Sequence, residues 1–93
     1  LKSGFPYSIA MFYYLDFFNY LIQNHFNNKA TMHKEIASWF DVSPDGRSVR
    51  GNINALIPNT RENKTKYTSH LHNEEVIKDY EQLKSGAPLS KSP

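Results

Sequence analysis

The sequence predicts a mainly α-helical fold: a small helix-turn-helix or winged-helix-like domain of about four helices. Three observations carry this. Thr31 to Ile57 reads as two short amphipathic helices joined by a tight turn, a long apolar and aromatic segment precedes it, and a capped amphipathic segment follows from Asn73.

The first element, roughly Tyr7 to Phe26, reads as one long helix. Met11, Leu15, Phe18, Ile22 and Phe26 form one helical stripe, which a small domain can cover, and Tyr13, Phe17 and Tyr20 form a second. The second stripe has two accounts: it packs on a partner, or its tyrosines lie at the core boundary with their hydroxyls in water. His25 to Lys29, with paired Asn27 and Asn28, ends the helix.

In the next helix Ile36, Ala37, Trp39 and Phe40 supply apolar positions around Lys34, Glu35 and Ser38, and Thr31 stands where an N-cap oxygen is wanted. Trp39 is read as a core residue, and small Ala37 admits a close helix crossing. Val49, Ile53 and Leu56 then give the buried stripe of a second helix, from about Pro44 to Ile57. Its start lies off the register common in helix-turn-helix sequences. Either Ser43 caps and Pro44 opens the helix, or Pro44, Asp45 and Gly46 form a longer turn. Gly51 inside the helix needs a reason, since it costs about 1 kcal/mol relative to Ala; close approach of a phosphate or a neighbouring helix is one.

Pro58 stops that helix, and a polar connection runs to about Lys66. Residues 64–71 alternate in a way that suits a short β wing, and suit equally the lead-in to a helix. From Asn73 the expectation is a capped helix with Glu74 and Glu75 in its first turn, Val76, Ile77, Tyr80 and Leu83 buried, Lys84 near its end and Gly86 as its stop. One domain is expected over 1–85, as the C-terminal part of a longer protein because the chain opens on Leu1, with a disordered tail over 86–93.

Composition narrows the function. The 93 residues carry a net charge of only +2 and no cysteine, which excludes disulfides and thiolate metal sites. No apolar run is long enough to span a membrane and no signal peptide is evident, so a cytoplasmic protein is expected. Charge is unevenly placed: Arg47, Arg50, Arg61, Lys64 and Lys66 face the single acid Glu62 within one stretch. A local basic stretch that begins in the second helix is what contact with phosphate requires.

Lys34 to Phe40 (KEIASWF) and Arg61 to Leu71 (RENKTKYTSHL) resemble the C-terminal region of the RteC family of conjugative-transposon regulators. The likeness runs from about Ser8 to Lys84, carried by Arg61, Asn63, Thr65, Lys66 and Tyr67; Gly46 to Pro58 departs from the family pattern. The resemblance implies a winged-helix type DNA-binding domain of a two-domain activator acting on the operon that starts excision of the element.

The expected DNA contacts are Arg47, Ser48, Arg50, Asn52 and Asn54 on the second helix, with Arg61, Lys64 and Lys66 anchoring phosphates beyond it. The bland alternative is a solvated polar face. The partner is then double-stranded DNA, with a homodimer or an N-terminal domain meeting Tyr13, Phe17 and Tyr20. The competing class is a helical interaction or dimerisation module that works through that aromatic surface. No phosphate loop, activated nucleophile or carboxylate pair suggests an enzyme, no cofactor is implied, and His70 and His72 find no third metal ligand of recognisable spacing.

Overall fold

The computed structural model describes residues 4–58, 60, 62 and 64–85, and these form a mainly helical domain. The α-helices are α1 (Gly4–Tyr14), α2 (Phe17–Asn24), α3 (Lys29–Phe40), α4 (Arg47–Leu56) and α5 (Asn73–Lys84), with a 3-10 turn over Ser69–His72 leading into α5. Gly86 and the expected tail over 86–93 lie outside the described residues.

The single long helix expected over Tyr7–Phe26 is two helices. Asp16 takes the left-handed conformation (φ 61°) and ends α1, and its carbonyl accepts the Tyr20 N–H to begin α2. The break lets the aromatic residues face one another around a corner: Phe12 meets Phe17 at 5.0 Å, and both Phe18 and Phe40 at 6.1 Å, between ring centroids. A straight helix would hold Leu15 in the same stripe as Phe18, but at the corner Leu15 is exposed.

Asn28 caps α3, its side chain accepting the Thr31 N–H at 2.8 Å. Thr31 therefore lies inside the helix and is not its cap. The far end closes with Asp41 in the left-handed conformation and the Val42 N–H on the Ala37 carbonyl, the long reverse bond of a Schellman ending. Ile36, Ala37 and Phe40 take the inward side, so Trp39 is left on the flank at 47 % exposure, its indole N–H on Glu35. The expectation of a core tryptophan is corrected.

Of the two readings of the turn, the longer one describes the fold. Residues 43–46 make the turn, the Gly46 N–H bonds the Ser43 carbonyl, and α4 starts at Arg47. Gly46 is required there, because φ is +81° and a Cβ would fall 2.9 Å from that of His33. Ile57 is extended ahead of Pro58, and Thr60 Oγ1 donates to the carbonyls of Asn54 and Ile57, satisfying the end of α4.

Ile9, Leu21, Met32, Ile36, Ala37 and Val49 form the main core, on which Ile53 and Leu56 of α4 also pack. A second cluster joins α1 to α5 through Tyr7, Ala10 and Val76, and Leu56 touches both. The expected inward face of α5 is corrected: Ile77 and Leu83 are exposed, while Asp79 is buried and accepts the Tyr7 hydroxyl at 2.5 Å. Asn73 is the first residue of α5 and not its cap.

No strand occurs among the described residues, so the β-wing reading of 64–71 is set aside. Residues 64–66 turn, Tyr67 is buried, and the segment then enters the 3-10 turn. It docks on α4 instead of pairing with another strand. The Tyr67 ring fills the space a side chain at Gly51 would need, and Ser69 bonds Asn52 twice, N–H to Oδ1 at 3.1 Å and Oγ to the carbonyl at 2.5 Å. The reason for Gly51 is thus an aromatic ring, which the sequence reading did not name.

Candidate nucleic-acid interface

The turn between α3 and α4 sets the first residues of both helices side by side. Gly46 rests against the backbone of His33 and Lys34, so the first turn of α4 lies beside the first half of α3. Between them is an open cleft of about 430 Å³, lined by Lys29 and His33 from α3, Asp45 and Gly46 from the turn, and Arg47, Arg50 and Asn54 from α4.

Arg47, Arg50 and Asn54 stand at i, i+3 and i+7, one stripe of the helix facing away from the core. Both arginines are exposed, and among the described residues no side-chain hydrogen bond or ion pair holds Lys29, Arg47 or Arg50. The one acid in the lining, Asp45, uses an oxygen to accept the Arg47 N–H at 2.9 Å. Three cations against one carboxylate make the cleft electropositive. Burial, and next the charges of Arg50 and Lys29, hold the His33 imidazole below the usual histidine range, which favours its neutral form.

The other expected contacts divide. Asn54 lines the cleft, but its amide donates to Glu62 Oε2 at 3.1 Å, bringing a carboxylate to the C-terminal end of the stripe. Ser48 is half-buried and its carbonyl accepts from Asn52. Asn52 is corrected outright: at 4 % exposure, and spent on Ser48 and Ser69, it has no reach to a ligand. Residues two apart on a helix do not share a face, so Asn52 and Asn54 could not both read bases, and that spacing was the available signal. Lys64 and Lys66 are exposed in the turn ahead of Tyr67 and do not line the cleft, and Lys66 sits 5.4 Å from the Tyr67 ring centre. Arg61 lies outside the described residues.

Sequence reasoning missed Lys29 and His33. Both precede the turn, on the helix taken as support, and only the packing of Gly46 against His33 brings them to the same cleft as Arg50.

The aromatic residues assigned to a partner gather at the α1–α2 corner. Tyr13 and Tyr20 are 41 % and 52 % exposed, and half-buried Phe17 stacks on Tyr20 with ring centres 6.1 Å apart. Among the described residues no group of three metal-ligating side chains converges, and no helix is long and apolar enough to cross a membrane.

Comparison with family models, with curated proteins and with solved structures finds no match to the chain.

Proposed function

We propose that the chain is the DNA-binding domain of a transcriptional regulator, with the Arg47–Arg50–Asn54 stripe of α4 toward the major groove and Lys29 beside it on the backbone. The observation that carries this reading is the open cleft in which Lys29, Arg47 and Arg50 converge from two helices without partnering acids. Arginines held in this way suit phosphate and guanine, which accept two parallel hydrogen bonds from a guanidinium. The short connection between α3 and α4, with Gly46 permitting close contact, supports reading the pair as a helix-turn-helix. The likeness of Lys34–Phe40 and Arg61–Leu71 to RteC regulators points toward control of a mobile element's excision.

Selection of bound duplexes from a random pool, at low and at moderate salt, tests the reading. Enrichment of one motif at both concentrations is expected. Recovery that is equal across sequences, or absent, rejects specific readout.

A second reading has its own observation. Tyr13, Tyr14, Leu15 and Tyr20, at and beside the α1–α2 corner, are all exposed, and large side chains left in water are what a partner protein covers. In that reading the domain binds protein or a second copy of itself. In that case the native chain ignores duplex DNA at any salt concentration, and a Tyr13→Ala/Phe17→Ala variant loses the association.

A further inference from the structure

The cleft between α3 and α4 contains a residue that a merely basic surface does not need. His33 lines its α3 side, half-buried, with Lys29 one turn before it and Gly46 packed against its Cβ. The charged and titratable groups around it are Lys29 on its own helix, Arg47 and Arg50 from α4 and Asp45 from the turn. Tyr13 and Asp16 of the α1–α2 corner line a smaller adjoining cleft that shares Lys29, His33 and Asn54. Cations outnumber carboxylates around the ring, and Asp45 is engaged with the α4 backbone.

We propose that this cleft seats one phosphate group of the nucleic-acid backbone, and that His33 joins Lys29, Arg47 and Arg50 as a ligand to it, gaining a proton as the phosphate enters. The inference rests on the DNA-binding reading for its ligand and adds both a binding residue and a dependence on pH. Cations from two helices surround a space wide enough for a phosphodiester with its sugar, and spread-out anionic oxygen is the chemistry they match. A neutral imidazole has one N–H, whereas an imidazolium has two and carries charge. Burial and the charges of Arg50 and Lys29 by themselves disfavour that proton. A phosphate between them offsets those charges, so binding and protonation favour each other. Affinity therefore rises as pH falls from 8 toward 5, by up to tenfold per pH unit for one linked proton.

The test has two arms. In the first, the imidazole resonances of the native chain are followed by NMR from pH 8 to 5, in sodium chloride and in inorganic phosphate of equal ionic strength. His33 is expected to titrate at higher pH in phosphate, with His25, His70 and His72 unmoved; equal behaviour of all four in both salts overturns the proposal. In the second, duplex DNA affinity is measured across the same range for the native chain and for His33→Gln at constant salt. The native chain is expected to bind more tightly in acid and the variant to show a flattened profile. The same slope in both overturns the proposal, even if DNA binds well. A phosphate-induced change at His33 without any affinity for duplex DNA supports the phosphate seat and instead rejects the DNA-binding reading.

Discussion

Asn52 and Arg50, two residues apart on α4, have opposite roles although both are polar. Asn52 is buried and ties α4 to Ser69, while the Arg50 side chain lies in the open cleft. Asn52→Ala removes the side-chain oxygen that accepts the buried Ser69 N–H, while the Ser69 hydroxyl keeps its bond to the main-chain carbonyl, and is expected to cost about 1–3 kcal/mol of stability. Arg50→Ala should leave stability within about 0.5 kcal/mol, as an exposed substitution does, while weakening DNA binding. Urea denaturation and a binding isotherm on both variants check the pair; loss of stability in Arg50→Ala, with none in Asn52→Ala, contradicts the assignment. Gly51 makes a related point. Ala would improve helix propensity by up to about 1 kcal/mol, but its Cβ would lie 2.5 Å from the Tyr67 ring, and overpacking of that kind costs about 1–3 kcal/mol. Gly51→Ala is therefore expected to lower the melting temperature, and to become neutral or favourable when Tyr67→Leu removes the ring. A Gly51→Ala variant more stable than the native chain would show that the ring does not press on this helix.

At the scale of the element, the corner at Asp16 has the clearest test, because a straight helix and a broken one respond oppositely to the same changes. The left-handed conformation costs an ordinary L-residue about 1–2 kcal/mol, which glycine avoids and a β-branched side chain feels most. Asp16→Gly should hold or raise the melting temperature, and Asp16→Val should lose about 1–2 kcal/mol. The reverse order would indicate a continuous helix. The corner was not legible in the sequence, because Tyr7–Phe26 carries helical periodicity throughout and contains neither Pro nor Gly after Pro6. Its cause is tertiary: the packing of Phe12, Phe17 and Phe18 toward Phe40 outweighs continuity of the helix. The α3–turn–α4 unit was legible, since its apolar spacing and the Pro44–Asp45–Gly46 turn are local signals. Of the candidate site, Arg47 and Arg50 could be read from their position on α4, whereas Lys29 and His33 depended on how α3 and α4 meet. Ordinary alternation suggested a strand over 64–71, but burial of Tyr67 against a glycine was the decisive contact, and no local pattern encodes it.

At the scale of the whole molecule, the two ends of the domain are joined by a buried polar bond. Tyr7 of α1 donates to Asp79 of α5, where the expected apolar face of α5 would have placed only hydrocarbon. Burial, then the hydrogen bond and charge of Asp79 with a further contribution from Glu75, pushes the Tyr7 phenol well above its ordinary value of 10.0. Folding thus favours the neutral phenol. Its contribution to stability is full below pH 10, declines as the unfolded chain begins to ionise there, and is lost as pH rises through the folded value. In an ultraviolet titration Tyr7 should therefore resist ionisation until the domain unfolds, and Tyr7→Phe should remove that delayed step. A titration that Tyr7→Phe leaves with the same delayed step, or a native chain with none, would contradict the buried bond. The α3–α4 cleft, open and lined by Lys29, Arg47 and Arg50, is where the proposed DNA contact is placed. Its most direct test is the salt dependence of duplex DNA affinity for the native chain and for Arg47→Ala/Arg50→Ala. Log affinity should fall steeply and linearly with log salt in the native chain, with a slope shallower by roughly 0.9 in the variant, for the one backbone phosphate that the two arginines share. Affinity that ignores salt, or an identical slope in the two proteins, would contradict it.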